Sequence, residues 1–135
     1  MGRSEPVVNG TARTIGLLLS AEQVAVFAAG LLLWVTRDGS LLLLVPALLA
    51  PDLSAIGYLG GPRLGAVTYN AAHNLVTALA VLGLGWWLGF EGLILAGAAL
   101  LAHIGMDRAL GFGLKLGTSF NETHLGRIGK RSGLS

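Results

Sequence analysis

Four long apolar runs, parted by turns of only four to six residues, limit this chain to very few folds. They are Thr14–Val35, Leu41–Ile56, Arg63–Leu88 and Leu93–Leu110, with turns at Thr36–Ser40, Gly57–Pro62 and Gly89–Gly92. At 1.5 Å of rise per residue, runs of this size match a hydrocarbon layer about 30 Å thick. A backbone in lipid must satisfy its own polar groups, so the apolar runs read as helices. The expected fold is all-α: four transmembrane helices in a membrane bundle (spans about 14–35, 41–56, 63–88 and 93–110), between a polar tail at 1–13 and an amphiphilic tail at 111–135. Charge agrees with this. Only 12% of the 135 residues are charged, against about 25% in soluble domains, too few to coat a surface in water. The second run is short and contains Pro46 and Pro51. Each proline frees the carbonyl four residues upstream, so a kinked helix is expected there. Trp86 and Trp87 close the third run as an interfacial anchor.

The cations are distributed unevenly. Arg3, Arg13, Arg63, Arg108, Lys115, Arg127, Lys130 and Arg131 lie in the tails or in the turn after the second run, and only Arg37 lies in the two opposite turns. The positive-inside rule then puts both termini in the cytoplasm. A cleaved leader is the competing reading for the first run. It is the weaker reading, because Glu22 interrupts the apolar stretch and no convincing small-residue cleavage site follows a compact apolar core. Basic residues interleaved with aromatics, as single-stranded nucleic acid requires, are absent, so no nucleic-acid partner is expected. With no cysteine, thiolate zinc sites and thiol nucleophiles are excluded.

Against this apolar background stand Glu22, Asp52, Asn70, His73, His103 and Asp107. A charged side chain at mid-span costs about 2.5–3.5 kcal/mol on insertion scales, so such residues usually face protein or a wet cavity. In the four-span topology all of them fall in the cytoplasmic half of the membrane, every span contributing. His103 and Asp107, four apart, share one helix face. Tyr69, Asn70, His73 and Thr77 form a polar stripe on the third span by the 3.6-residue period. For any one of these residues a plainer role is available. A lone His or Asn serves as interhelical glue, Asp107 pairs with Arg108 at the interface, Tyr69 joins an aromatic belt, and Glu22 bonds backbone freed by a proline. The spacings Gly61/Gly65 and Gly85/Gly89 resemble packing motifs but are better explained by turns. Glue accounts poorly for so many polar groups at one depth, and an active-site cavity accounts for them better.

The runs LAPDLSAIGYLGGPRLGAVTYNAAH, LAHIGMDRALGFGLK and FNETHLGRIG resemble a family of small bacterial membrane proteins described only as domain of unknown function 4260. The likeness extends from the first span to about Gly129. It implies that Glu22, Asp52, Tyr58, Tyr69, Asn70, His73, His103, Asp107, Arg108, Lys115 and His124 are the characteristic polar positions. A proline of the family pattern is replaced within VTALA, after His73, which bears on the shape of the third span. The likeness implies no activity.

Imidazole and carboxylate donors are the ligand set of zinc, iron or manganese. The leading expectation is therefore a metal-dependent membrane hydrolase with His73, His103 and Asp107 as ligands. Asp52 or Glu22 supplies a further ligand or the general base. Tyr69, Asn70, Arg108, Lys115 and His124 contact a lipid or other amphiphilic substrate, Arg108 and Lys115 at its anionic head and His124 from a folded-back tail. The alternatives are a metal-free acid–base isomerase or cyclase of an apolar substrate, and a non-enzymatic binder, proton-coupled carrier or accessory membrane subunit. A homodimer is open to all of them. No standard zinc signature is present.

Overall fold

The computed structural model describes residues 5–128. It is built from helices: α1 (Glu5–Thr36), α2 (Leu41–Leu49), a 3-10 helix (Ala50–Gly60), α3 (Pro62–Ala72), α4 (Leu75–Leu88) and α5 (Glu91–Ala109). A two-residue hairpin follows, β1 (Glu122–Thr123) against β2 (Gly126–Arg127). Among the described residues three helices are long and apolar enough to cross a membrane, or four if the bent pair α3–α4 is one span.

Three segments depart from the expected boundaries. Helix α1 begins at Glu5, so Glu5–Arg13, expected as a tail, is helical. The second span changes from α to 3-10 geometry at Ala50, with Pro51 in the first turn of the new segment. The third span is two helices, meeting at 46°. Asn74 is the reason. Its side-chain oxygen accepts the Thr77 amide at 2.9 Å, capping α4, while its Nδ2 donates to the Asn70 and Ala71 carbonyls at 2.8 and 3.0 Å, closing α3. Thr77 therefore belongs to the cap of the next helix and does not extend the Tyr69–His73 stripe. Of the cations counted in the charge asymmetry, Arg3, Lys130 and Arg131 lie outside the described residues, as does the Arg127 side chain.

Bulk and smallness are arranged inside out. Leu42, Leu59, Val76 and Trp87 are 78–88% exposed, whereas the buried faces are rich in Ala78, Ala98, Ala99 and Ala102, with Trp34, Tyr69, Ile94 and Ile104 among the larger exceptions. Water gives no reason to hide alanine and display leucine; lipid does, because small side chains let helices approach. A Cβ on Gly30 would lie 2.5 Å from the Ala102 amide, and one on Gly85 2.7 Å from the Ile94 amide. Gly105 likewise abuts the Phe27 backbone, so α1 and α4 both press closely on α5. Gly61 and Gly89 do occupy left-handed turns, with φ of 110° and 63°. Gly85 and Gly65, read as turn residues with them, are instead close-packing points, Gly65 lying under the Tyr58 ring.

The helices sort into two packed groups: α1, α4 and part of α2 around α5, and α3 against the 3-10 helix. At the end formed by the α1–α2 and α4–α5 turns, Arg37 pairs with Glu91 at 3.4 Å and lies 5.0 Å over the Trp86 ring. The polar residues of interest gather where the two groups meet.

Candidate metal centre

Four of the expected side chains converge. Asp52 comes from the 3-10 helix, His73 from the cap of α3, and His103 and Asp107 from successive turns of α5. One ligand atom from each lies within 4.8 Å of all the others. His73 Nε2 is 3.3 Å from Asp52 Oδ1 and 4.0 Å from Asp107 Oδ2; His103 Nε2 is 3.4 and 3.2 Å from the same two atoms. Metal–ligand bonds of about 2.0–2.1 Å in tetrahedral geometry put neighbouring donors about 3.3–3.4 Å apart. Three of these four His–Asp distances are close to that spacing, and the fourth, His73 to Asp107, is longer.

Hydrogen bonding orients the donors. His73 Nδ1 lies 2.8 Å from the Tyr69 carbonyl, which can only accept, so Nδ1 carries the proton and Nε2 offers its lone pair inward. That is the outer-shell arrangement usual for a metal-bound histidine. The Tyr69 ring stacks on the imidazole, with centroids 3.6 Å apart and planes at 8°. Both nitrogens of His103 are buried and make no hydrogen bond of good geometry, although the Leu48 carbonyl lies near the ring. Buried polar atoms are almost always satisfied, and what His103 Nε2 has beside it is the two carboxylates, close but poorly directed for a hydrogen bond. The histidine side chains are 2% exposed and Asp107 14%, but Asp52 is 52% exposed: the group is buried on three sides and open on one.

Other expected site residues take different positions. Glu22 is exposed on α1 and outside the group. One residue further round the helix, Gln23 has a buried, unpartnered Oε1 and lines an open groove of about 470 Å³ with Leu19, Ser20, Arg108 and His124. This groove adjoins the four donors through Arg108 without containing them. Arg108 donates to the His73 carbonyl and to the Phe112 carbonyl, both at 2.9 Å, holding the broken helix against α5. The Asn70 amide, expected on substrate, is engaged by backbone: Oδ1 accepts the Lys115 amide at 2.6 Å and Nδ2 donates to the Lys115 carbonyl at 2.7 Å. His124 does fold back, but its Nδ1 accepts the Leu114 amide at 2.7 Å and it reaches the groove, not the four donors.

The segment after α5 is thus folded structure where a tail was expected. Lys115 is bridged to Thr123, whose hydroxyl donates to the Gly126 carbonyl at 2.6 Å. Lys115 is 5% exposed, with Nζ 3.9 Å over the Phe120 ring and 4.9 Å over that of Tyr69. Burial pushes its pKa below the ordinary lysine value, against the opposing pull of Asp107 and Asp52. Gln23 and Phe120 were missed by reading the sequence. Gln23 is a lone amide beside a more conspicuous carboxylate, and Phe120 sits in a glycine-rich stretch that has no periodicity to read.

The family model for "Domain of unknown function (DUF4260)" matches residues 16–128. The chain belongs to this family. All four donors, with Lys115, Phe120 and His124, lie inside the matched span of this DUF4260 member. No curated protein and no solved structure matches the chain.

Proposed function

We propose that this protein is a metal-dependent membrane enzyme of the bacterial inner membrane, with both termini cytoplasmic, which hydrolyses a lipid or other amphiphile. The observation that carries the reading is the group Asp52, His73, His103 and Asp107, whose donor atoms stand at metal-ligand spacings while the His103 nitrogens make no well-directed hydrogen bond among the described residues. Such a set suits zinc, with iron or manganese as the other candidates. Structural zinc sites are closed by four protein ligands, whereas catalytic ones keep a position open. The half-exposed Asp52 favours the second kind, with His73, His103 and Asp107 as the firm ligands and Asp52 at the open side as base or labile ligand. A divalent metal there supplies a bound water acidic enough to act near neutral pH. The protein's part is to fix His73 through the Tyr69 carbonyl and to exclude water around both histidines.

Elemental analysis of detergent-purified protein is the test. About one equivalent of zinc, iron or manganese per chain is expected, lost in His103→Ala; a wild-type protein without metal would sink the proposal. The metal-free acid–base reading keeps one observation in its favour, the direct contact of His73 Nε2 with Asp52 at 3.3 Å. It predicts turnover that survives chelation.

A further inference from the structure

Lys115 is a cation without an ion-pair partner among the described residues, since Asp107 and Asp52 act on it only from a distance. Its side chain is almost wholly covered, its ammonium rests on the faces of Phe120 and Tyr69, and no hydrogen bond or ion pair is made by Nζ among the described residues. Cation–π contact stabilises an ammonium but takes up none of its three N–H donors. The Tyr58 hydroxyl is buried with no hydrogen-bond partner among the described residues, and the Tyr58 ring lies 5.3 Å from that of Phe120 in an edge contact. The three N–H groups of Lys115 and the hydroxyl of Tyr58, two residues that both pack against Phe120, thus have no protein acceptor among the described residues. The Tyr69 ring contacts both Lys115 and His73, so one aromatic ring links the ammonium to the four metal donors.

Charge arithmetic gives the direction. The ligand group contributes two carboxylates, and a divalent ion on them leaves the group neutral. Lys115 and Arg108 are then surplus positive charges in a partly desolvated place, which is costly unless a negative group joins them. We propose that Lys115 and Tyr58 bind the phosphate oxyanion of the substrate, placing it beside the metal; this rests on the metal-enzyme reading above. A phosphate offers several acceptor oxygens, enough for all the idle donors, and an ammonium is a usual partner for it. Asn70 makes the arrangement rigid, since both of its amide atoms fix the Lys115 backbone.

Zinc-loaded protein in detergent would be titrated, by thermal shift, with inorganic phosphate, with dihexanoylphosphatidic acid and with uncharged dihexanoylglycerol. Saturable stabilisation is expected from the two phosphates only. Tighter binding of the phosphatidic acid identifies a lipid headgroup as the source, and equal binding identifies free phosphate. Lys115→Met should weaken phosphate binding at least tenfold with zinc content unchanged, and Tyr58→Phe at least twofold. Unchanged affinity in Lys115→Met at full zinc occupancy, or no phosphate binding by the zinc-loaded wild type, overturns the inference. Should Lys115→Met not fold, unchanged affinity in Tyr58→Phe overturns it as well. Failure of the metal reading itself appears separately, as wild-type protein that takes up no zinc.

Discussion

Asn70 lies on the helix that ends at His73, yet its amide is spent on the backbone of Lys115, 45 residues away. Replacing it with Ala strands a backbone N–H and C=O, each worth about 1–3 kcal/mol when buried and unsatisfied. The expected result is faster amide exchange from Lys115 to Thr123 by mass spectrometry, with metal content retained; slow exchange there in the variant would contradict the assigned role. Lys115 itself has a pH signature. Because burial depresses its pKa, the folded chain holds fewer protons than the unfolded one between that lowered value and about 10.4. Stability therefore rises with pH across the window, while phosphate binding falls as the ammonium is lost. Lys115→Met should flatten both trends in unfolding and binding measured from pH 8 to 10.5.

Close approach to α5 governs the elements. Gly105→Ala sets a methyl against the Phe27 backbone, and overpacking of this kind costs about 1–3 kcal/mol. Gly83→Ala, where nothing lies within 4 Å, should be neutral or stabilising by up to about 1 kcal/mol. Chemical unfolding in detergent compares the two, and equal stability would show that α1 and α5 are not in contact there. The same elements mark how far the sequence could be read. Run length and hydropathy locate α1, α2 and α5, and the i, i+4 spacing of His103 and Asp107 puts both on one face of a long regular helix. The break at His73 was illegible because Asn74 looks like one more polar residue in a stripe. Its effect depends on capping geometry, which periodicity does not report. Glu22 misled for a related reason: a single residue is 100° of helix, and the apolar surroundings of α1 do not say which of Glu22 and Gln23 turns inward. The hairpin carries no hydropathy signal at all, since hydrogen bonds from Thr123 and His124 hold it together.

For the whole molecule, the charge asymmetry makes an orientation testable without background, because there is no native cysteine. Ser40→Cys should react with an impermeant maleimide on intact cells, and Leu116→Cys only after lysis; the reverse pattern would invert the topology. The two packed groups meet at the ligand set, one supplying Asp52 and His73 and the other His103 and Asp107. A cation shared by them would act as a rivet between two halves that otherwise touch little, held besides by Arg108 on the His73 carbonyl and by Asn70. Chelation ought then to loosen the joint as well as remove a reactant, letting α3 and the 3-10 helix swing from α5. Loading the ion and closing the fold would be a single event, and a chain short of metal would be marked by its own slackness.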